Sequence, residues 1–198
     1  MPRRTTAIAA ALSMLPLGQP LLLGSTTALA TAAVVLSTQA AHAQSAEDYV
    51  NRGNSKYRLR DYQGAIADFT RAIEIDPQDA GAYYNRGTAK YDLRDYQGAI
   101  VDFNKAIEID PQYADAYNNR GFAKNKSGDY QGAIADFNKA LAINPQDYAA
   151  YTNRGIAKRN LGDDRGGCAD FKKAVSLGHQ GTAQWINSEG GAWCRNMR

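Results

Sequence analysis

Apolar side chains recur along residues 46–181 with the period of amphipathic helices, and the pattern comes in pairs of segments. The first segment carries Tyr49, Gly53 and Lys56 at spacings of four and three residues, which places them on one helical face. In the second segment, the apolar positions fall at i, i+4, i+7 and i+8, which is also one face of a helix. They are Ala65, Phe69, Ala72 and Ile73. The pattern therefore predicts two helices joined by a short turn.

Particular residues mark where the second helix begins and ends. Asp61 stands at the position of an N-cap, where its carboxylate can accept a hydrogen bond from a free backbone N–H group. Asp76-Pro77 follows the last apolar position, and the residue before a proline is disfavoured in helical conformation. Gly53 lets the partner helix approach the first helix closely. One such hairpin cannot bury both of its faces, so it must stack on neighbours.

The same pair of helices is predicted four times, at a constant interval of 34 residues. The glycine of the first helix and the aromatic residue of the second helix both keep this interval. They are Gly53, Gly87, Gly121 and Gly155, and Phe69, Phe103, Phe137 and Phe171. A fixed period of this length is typical of a solenoid, and four units exceed the roughly three that such arrays need.

The recurring segments Tyr-x-Asn-Arg-Gly-x-Ala-Lys and Asp-Tyr-x-Gly-Ala-Ile-x-Asp-Phe resemble the tetratricopeptide repeat, with Arg and Lys at two places where Leu and Tyr are usual. The resemblance implies an all-α, right-handed solenoid of four helical hairpins with a C-terminal capping helix. The four units would span 46–79, 80–113, 114–147 and 148–181, with the capping helix and tail at 182–198. The wider pattern looks like a bacterial, cyanobacterial-like exported subtype of the family.

The fourth unit departs from the other three, and the departures predict how the array ends. Cys168 replaces the recurring Ile. Residues 182–187 include Trp185 and Ile186, and we expect them to form a short helix that covers the last apolar face. Gly190-Gly191 would end that helix, and the residues after it would fold back over the last repeat.

Cys168 and Cys194 are the only two cysteines of the chain. Because the chain is expected to be exported to an oxidising compartment, we predict a disulfide between them. It would close a loop of about 26 residues and contribute ~3 to 4 kcal/mol in the chain-entropy model. The alternative is two unpaired thiols. A nucleophilic role is not indicated, because no partner constellation surrounds the nearest histidine, His179.

Residues 1–43 have the pattern of a cleaved signal peptide. Arg3 and Arg4 are the only charged residues before Glu47, an apolar stretch follows them, and Ala41-His42-Ala43 is a small-x-small cleavage site. A retained N-terminal membrane anchor is the alternative. Either interpretation makes the remaining chain extracytoplasmic, in a periplasm or secreted, and no membrane span is predicted in the mature chain.

Charge is nearly balanced, with 23 Lys and Arg against 20 Asp and Glu and a net charge of +3. Without the leader the chain is almost neutral, which argues against nucleic acid as a partner. An arginine ladder and an aspartate ladder keep the same register and predict ion pairs between helices, with binding of an anion or a peptide carboxylate as the alternative. A lysine ladder is interpreted as a solvated face. The ladders are Arg52, Arg86, Arg120 and Arg154; Asp68, Asp102, Asp136 and Asp170; and Lys56, Lys90, Lys124 and Lys158.

The resemblance places the first helix of each unit on a concave surface, where such arrays usually bind their ligands. An asparagine recurs there once per unit with varied neighbours, and amides that line a groove could bond the backbone of an extended peptide. The predicted peptide-binding residues are Asn51, Asn54, Tyr84, Asn85, Tyr91, Asn118, Asn119, Phe122 and Asn153. The alternative is that the asparagines only support contacts between repeats, and a sugar ligand also stays open.

The sequence thus predicts an adaptor or assembly factor that binds a protein or peptide in its groove. The alternative is a structural module that self-associates through its uncapped first repeat, and we expect a monomer or weak self-association. No enzyme, metal or cofactor signature is present in the sequence. Repeats that clamp the acidic tails of chaperones use basic residues where this chain has Val50, Asp115 and Asn119, so that subtype is not indicated.

Overall fold

The computed structural model describes residues 45–197, which form α-helices and one 3-10 turn, with no strand in that range. The predicted leader, residues 1–43, lies outside the described residues. The helices are α1 Ala46–Arg58, α2 Tyr62–Ile75, α3 Ala80–Asp92, α4 Tyr96–Ile109, α5 Ala114–Lys126, α6 Tyr130–Ile143, α7 Tyr148–Asn160, α8 Asp164–Ser176, α9 Gln180–Asn187 and α10 Ala192–Arg195, and the 3-10 turn spans Glu189–Gly191.

The helices pack as four consecutive hairpins, each formed by an odd-numbered helix and the one that follows it. Each second helix then packs against the first helix of the next hairpin. The first helices α1, α3, α5 and α7 also contact one another along the array, whereas successive second helices do not approach each other to the same extent. The first helices therefore lie on the inner side. This arrangement confirms the predicted all-α solenoid of four hairpins with a capping helix.

Each second helix starts at the aspartate that the sequence pattern indicates. The Asp61 carboxylate accepts a hydrogen bond from the backbone N–H of Gly64 at 2.9 Å, and the equivalent aspartates of the other repeats cap α4, α6 and α8 in the same way. A Cβ at residue 64 would lie 2.1 Å from a carboxylate oxygen of Asp61. The cap and the glycine that follows it are therefore one unit, and such a cap contributes about 1 kcal/mol.

The core is built from the predicted apolar positions of the second helices. Ala65, Phe69 and Ala72 are at most 1% exposed, and Ile73 is buried with them. A Cβ on Gly53 would lie 2.6 Å from the Phe69 ring. The glycine of the first helix thus allows the close approach on which this packing depends, and the same contact recurs in the other three repeats.

Two of the helix-to-helix turns hold a non-glycine residue in the left-handed backbone region. Arg60 has φ 62° and Arg94 has φ 64°, whereas Gly128 and Gly162 occupy the equivalent positions of the third and fourth repeats. A non-glycine residue in this region costs roughly 1–2 kcal/mol because its Cβ crowds the following carbonyl. The first two repeats therefore carry backbone strain that the last two avoid.

The C-terminal segment covers the last repeat. Cys168 and Cys194 form a disulfide with their Cα atoms 5.2 Å apart, and both lie in a buried cluster that Trp185, Ile186 and Trp193 contact. Lys172 donates to the backbone carbonyl of Met197 at 2.7 Å and ties the tail to α8. The capping helix ends at Asn187, three residues before the predicted Gly190-Gly191. The glycine pair lies in the separate 3-10 turn.

The opposite end of the array differs from the interior repeats at two positions. In the later repeats, alanines with no exposed surface occupy the third and tenth places of the first helix and pack toward the preceding hairpin, as Ala82 and Ala89 do. In the first repeat these places hold Asp48 and Ser55, which are exposed. Ser45 and Asp48 also form a capping box at the start of α1. This end of the array therefore carries polar side chains where the interior repeats carry buried methyl groups.

Candidate functional site

The arginine and aspartate ladders form ion pairs within each hairpin, as predicted. Arg120 donates through Nε and Nη2 to the two carboxylate oxygens of Asp136, at 2.9 and 2.5 Å. Asp136 is 3% exposed, so its charge is compensated almost entirely by protein groups. The hydrogen bond from Arg52 lowers the pKa of Asp68, the equivalent carboxyl of the first repeat. The same bidentate pair occurs in all four repeats.

The lysine ladder is not a merely solvated face, so that prediction was wrong. Lys124 Nζ lies 2.9 Å from the second carboxylate oxygen of Asp136, and the other three lysines contact their aspartates at 2.8 to 2.9 Å. Arginine and lysine stand four residues apart on the first helix, so both reach the same carboxylate across the hairpin. The lysine side chains stay 21 to 34% exposed, which is consistent with their interpretation from spacing alone as a solvent face.

Three of the arginines also link consecutive repeats. Arg86 Nη1 donates to Thr70 at 3.2 Å, Arg120 to Asn104 at 2.7 Å and Arg154 to Asn138 at 2.6 Å. Each guanidinium also lies over the tyrosine ring three residues before it, at 4.8 to 5.5 Å from the centroid across the four repeats. The ladder is therefore part of the scaffold, and the alternative of an anion-binding ladder is not favoured.

The predicted asparagines on the inner helices fall into two groups. Within residues 45–197, the side-chain amides of Asn51, Asn85 and Asn153 make no hydrogen bond. Asn119 instead donates to the Tyr84 hydroxyl at 3.0 Å. Asn118 makes a long contact of 3.4 Å to Asp147, and its Oδ1 is buried without a donor. The first group is available to a ligand, whereas Asn119 supports a contact between repeats two and three and Asn118 contacts the N-cap residue of α7.

A cavity of about 230 Å³ opens between the first helices of repeats one and two. Its walls include three of the predicted binding residues together with one buried ring; they are Asn54, Tyr57, Phe69, Tyr84, Asn85 and Thr88. Tyr57 donates a hydrogen bond to Asp92, and burial together with this bond raises the pKa of Tyr57. Burial also raises the pKa of Tyr84. Both phenols are therefore neutral at ordinary pH, so this cavity presents hydroxyl and amide groups to a ligand.

Aromatic side chains fill the corresponding position between repeats two and three. The rings of Tyr91 and Phe122 stack with their centroids 5.3 Å apart, and Tyr84 packs against Tyr113 at 4.9 Å. Burial raises the pKa values of Tyr91 and Tyr113 to about 12. Tyr91 and Phe122, both predicted to contact a peptide, therefore form a wall of the inner surface instead of a pocket.

A larger cavity of about 480 Å³ lies at the C-terminal end of the array. It is formed by α7, α8, α9 and the residues just before α9; the lining side chains are Thr152, Ile156, Arg159, Phe171, His179, Thr182 and Trp185, with Gly181. None of these residues was among the predicted binding residues. One signal was visible in the sequence, since Arg159 occupies the place that Tyr57, Tyr91 and Asn125 hold in the other repeats.

Models of the tetratricopeptide repeat match residues 50–114 and 114–147. The tetratricopeptide domain of Arabidopsis OM64 is 31% identical over 58% of this chain and 95% of that domain, with a TM-score of 0.57. The chain belongs to the tetratricopeptide repeat family. The structure is also similar to that of MamA, with 26% identity over 74% of this chain and 86% of that chain and a TM-score of 0.67.

One similar structure of a tetratricopeptide domain contains a ligand. The first such domain of Spaghetti (RPAP3), bound to the HSP90 peptide SRMEEVD, is 25% identical over 60% of this tetratricopeptide chain and 94% of that domain, with a TM-score of 0.59. Tetratricopeptide repeats are generally interaction modules that bind protein or peptide segments and do not themselves catalyse reactions. The fold of this chain is therefore suited to protein–protein interaction.

Two further observations concern the part of the chain that the structure describes. No three His, Cys, Asp or Glu side chains between residues 45 and 197 come together as a metal site would require. None of the helices in that range combines the length and the apolar character needed to cross a membrane.

Proposed function

We propose that this tetratricopeptide repeat protein is an exported adaptor or assembly factor that holds an extended segment of a partner protein against its inner face. One observation carries the proposal: the amides of Asn51, Asn85 and Asn153 occupy the same register on α1, α3 and α7 and make no hydrogen bond within residues 45–197. A primary amide offers two donors and an acceptor. Amides repeated along a groove match the alternating N–H and C=O groups of an extended backbone.

Recognition of this kind depends mainly on the backbone of the ligand and tolerates many sequences. Selectivity would then come from the positions beside the asparagines, which differ between the repeats. The polar cavity at Asn54 and Tyr57 and the apolar cavity at Ile156 and Trp185 give the two ends of the groove different chemical character. The protein would bind its partner without catalysing a reaction.

Export is a second part of the proposal. It is supported by the leader pattern of residues 1–43 and by the Cys168–Cys194 disulfide, because such bonds persist mainly in oxidising compartments. The protein would act in a periplasm or be secreted, and cleavage of the leader is the expected form of processing. A mass spectrum of the protein isolated from its own cells tests this, since cleavage predicts an N-terminus at Gln44.

End-to-end stacking through the first repeat is less favoured as a function. A stacked copy would have to bury the exposed side chains of Asp48 and Ser55, and burying a carboxylate that is bonded only to Ser45 and has no cation beside it is costly. Polar groups of this kind are what the terminal repeat of a solenoid needs for solubility. We therefore expect a monomer.

The test is capture of partners by the protein and by a variant with Asn51, Asn85 and Asn153 changed to Ala. A matched control changes Gln63, Gln97 and Gln131 to Ala, because these exposed amides recur in register on the second helices. We expect both variants to melt like the original protein, and partners to be lost from the asparagine variant alone. Equal capture by both variants would move the binding site away from the inner face.

A further inference from the structure

The cavity between α7 and the capping helix combines an apolar interior with one cationic group. Ile156, Phe171 and Trp185 supply its apolar walls, and the Phe171 and Trp185 rings meet edge to face at 5.0 Å. Its volume of about 480 Å³ is in the range of small-ligand sites. The cavity therefore has room for a large apolar side chain.

Arg159 is the cation of this cavity, and it has no acidic partner in residues 45–197. Its guanidinium carbon lies over the rings of Trp185 and Trp193, at 6.0 and 5.5 Å from their centroids. The guanidinium N–H groups donate no hydrogen bond to residues 45–197, so these donors are available to a ligand. By contrast, Arg154, five residues earlier on the same helix, is fully engaged with Asp170 and Asn138. Arg159 is thus positioned to bind a carboxylate.

The remaining polar groups of the cavity are largely engaged with one another. The Thr152 hydroxyl donates to the Tyr148 carbonyl at 2.9 Å, and His179 Nδ1 contacts the Thr182 hydroxyl at 2.6 Å. The His179 ring also stacks on Tyr148, with centroids 4.7 Å apart. These groups fix the shape of the cavity, so the charge that a ligand would meet is that of Arg159.

The spacing of cation and apolar wall limits the kind of ligand. The Arg159 guanidinium is 6.0 Å from the Trp185 ring, so a carboxylate bound to it must be close to the apolar group of the same ligand. In an extended peptide, neighbouring side chains point to opposite faces, and those on one face are about 7 Å apart. A C-terminal residue avoids this difficulty, because its side chain and its carboxylate share one Cα.

We propose that this cavity binds the C-terminal residue of a partner protein, with a large apolar side chain against Trp185 and the terminal carboxylate on Arg159. The proposal rests on the proposed function, since it names the part of the partner that the C-terminal end of the groove receives. It requires no chemistry beyond one charge-assisted hydrogen-bonding contact and the burial of an apolar group.

Trp185 and Trp193 are the only tryptophans of the chain, so tryptophan fluorescence reports on this cavity directly. The probe is the acetylated peptide Gly-Ser-Gly-Ser-Gly-Phe with a free carboxylate, titrated into the full disulfide-bonded protein. We expect a saturable change in fluorescence. The C-terminal amide of the same peptide and the analogue that ends in Ala should each bind at least about tenfold more weakly than the acid, because each lacks one of the two contacts.

Two variants make the test specific. Arg159→Gln should bind the acid and the amide equally, whereas Arg165→Gln, which changes an exposed arginine on α8 outside the cavity, should keep the preference for the acid. Thermal melting checks that both variants are folded. The proposal is overturned if the acid causes no saturable change, if acid and amide bind the original protein equally, or if Arg159→Gln retains the preference.

The experiment separates this proposal from the proposed function. The preference for the acid over the amide depends only on the terminal residue in the cavity, so the variant with Ala at 51, 85 and 153 should keep that preference. Capture of partners by the original protein, lost in that variant, combined with no response to any probe, would leave the proposed function intact and refute the terminal-residue site. Binding of the probe, together with equal capture of partners by the original protein and the asparagine variant, would support the terminal-residue site and refute the proposed function.

Discussion

Replacement of Arg120 by Ala tests whether the arginine ladder holds the array together. Arg120 makes two hydrogen bonds to Asp136 and one to Asn104 of the preceding repeat. Its removal leaves Asp136, which is 3% exposed, with only Lys124 as a charged partner. Breaking a buried ion pair by removing one partner costs about 3–5 kcal/mol. Because Lys124 still compensates the charge, we expect the lower end, about 3 kcal/mol of unfolding free energy.

The loss can be measured by urea unfolding and by thermal melting. For a protein of this size, about 3 kcal/mol corresponds to a decrease in Tm of about 6–12 °C. Asn104→Ala is the matched control, because it removes only the bond between repeats and leaves the pair with Asp136 intact. We expect it to cost about 1 kcal/mol.

Arg52, the equivalent arginine of the first repeat, provides a second comparison because its side chain is more exposed. The Arg52 side chain is 43% exposed, whereas that of Arg120 is 17% exposed, and exposed pairs contribute less because water screens them. Arg52→Ala should therefore destabilise the protein less than Arg120→Ala. If Arg120→Ala unfolds like the original protein, or if the two variants lose the same stability, the ladder does not act as a buried support.

Three further outcomes follow from the same contacts. The pKa of Asp68 is lowered in the folded state, so its contribution to stability is complete above the unfolded pKa of about 3.9 and is lost as the pH falls through the folded value. Asp68→Asn should therefore make the free energy of unfolding less dependent on pH below about pH 4, and an unchanged pH dependence in that range would contradict this. Gly121→Ala would place a Cβ 2.9 Å from the Phe137 ring and 3.1 Å from the Ala133 carbonyl. We expect the free energy of unfolding to fall by about 1–2 kcal/mol, because the overpacking costs more than the gain in helix propensity. A higher Tm would refute this packing argument. Changing both Asp48 and Ser55 to Ala should give the first repeat the apolar surface of an interior repeat and so promote self-association. Sedimentation at several concentrations would detect it, and a monomer at every concentration would show that these residues do not prevent stacking.

The repeat period and the local signals predicted the scaffold well. Asp61 and Gly53 act within one hairpin, through hydrogen bonds and packing between residues close in sequence, and such contacts leave a regular pattern. The pairing of Arg120 with Asp136 was predicted for the same reason, because the constant register of two ladders reflects a constant geometry.

The binding surface was less predictable, because it depends on side-chain conformations between repeats. Asn119 and Asn85 share one position of the repeat, yet only Asn119 finds a hydroxyl, because Tyr84 is present 35 residues earlier. The C-terminal cavity depends on a contact between Arg159 and the Trp185 ring, which lie 26 residues apart in sequence. The assignment of ligand contacts to the asparagines stays a prediction.

The position of Lys172 has a consequence for where a further repeat could join the array. Repeat arrays lengthen by duplication of a unit, and an added unit would bring its own ladder arginine toward the preceding second helix. In the existing junctions, that arginine meets an oxygen from Thr70, Asn104 or Asn138. After α8, the equivalent place holds Lys172, and a guanidinium there would face an ammonium group. A hairpin added at the C-terminal end would therefore lack the acceptor that joins the existing repeats, whereas one inserted between them would keep it.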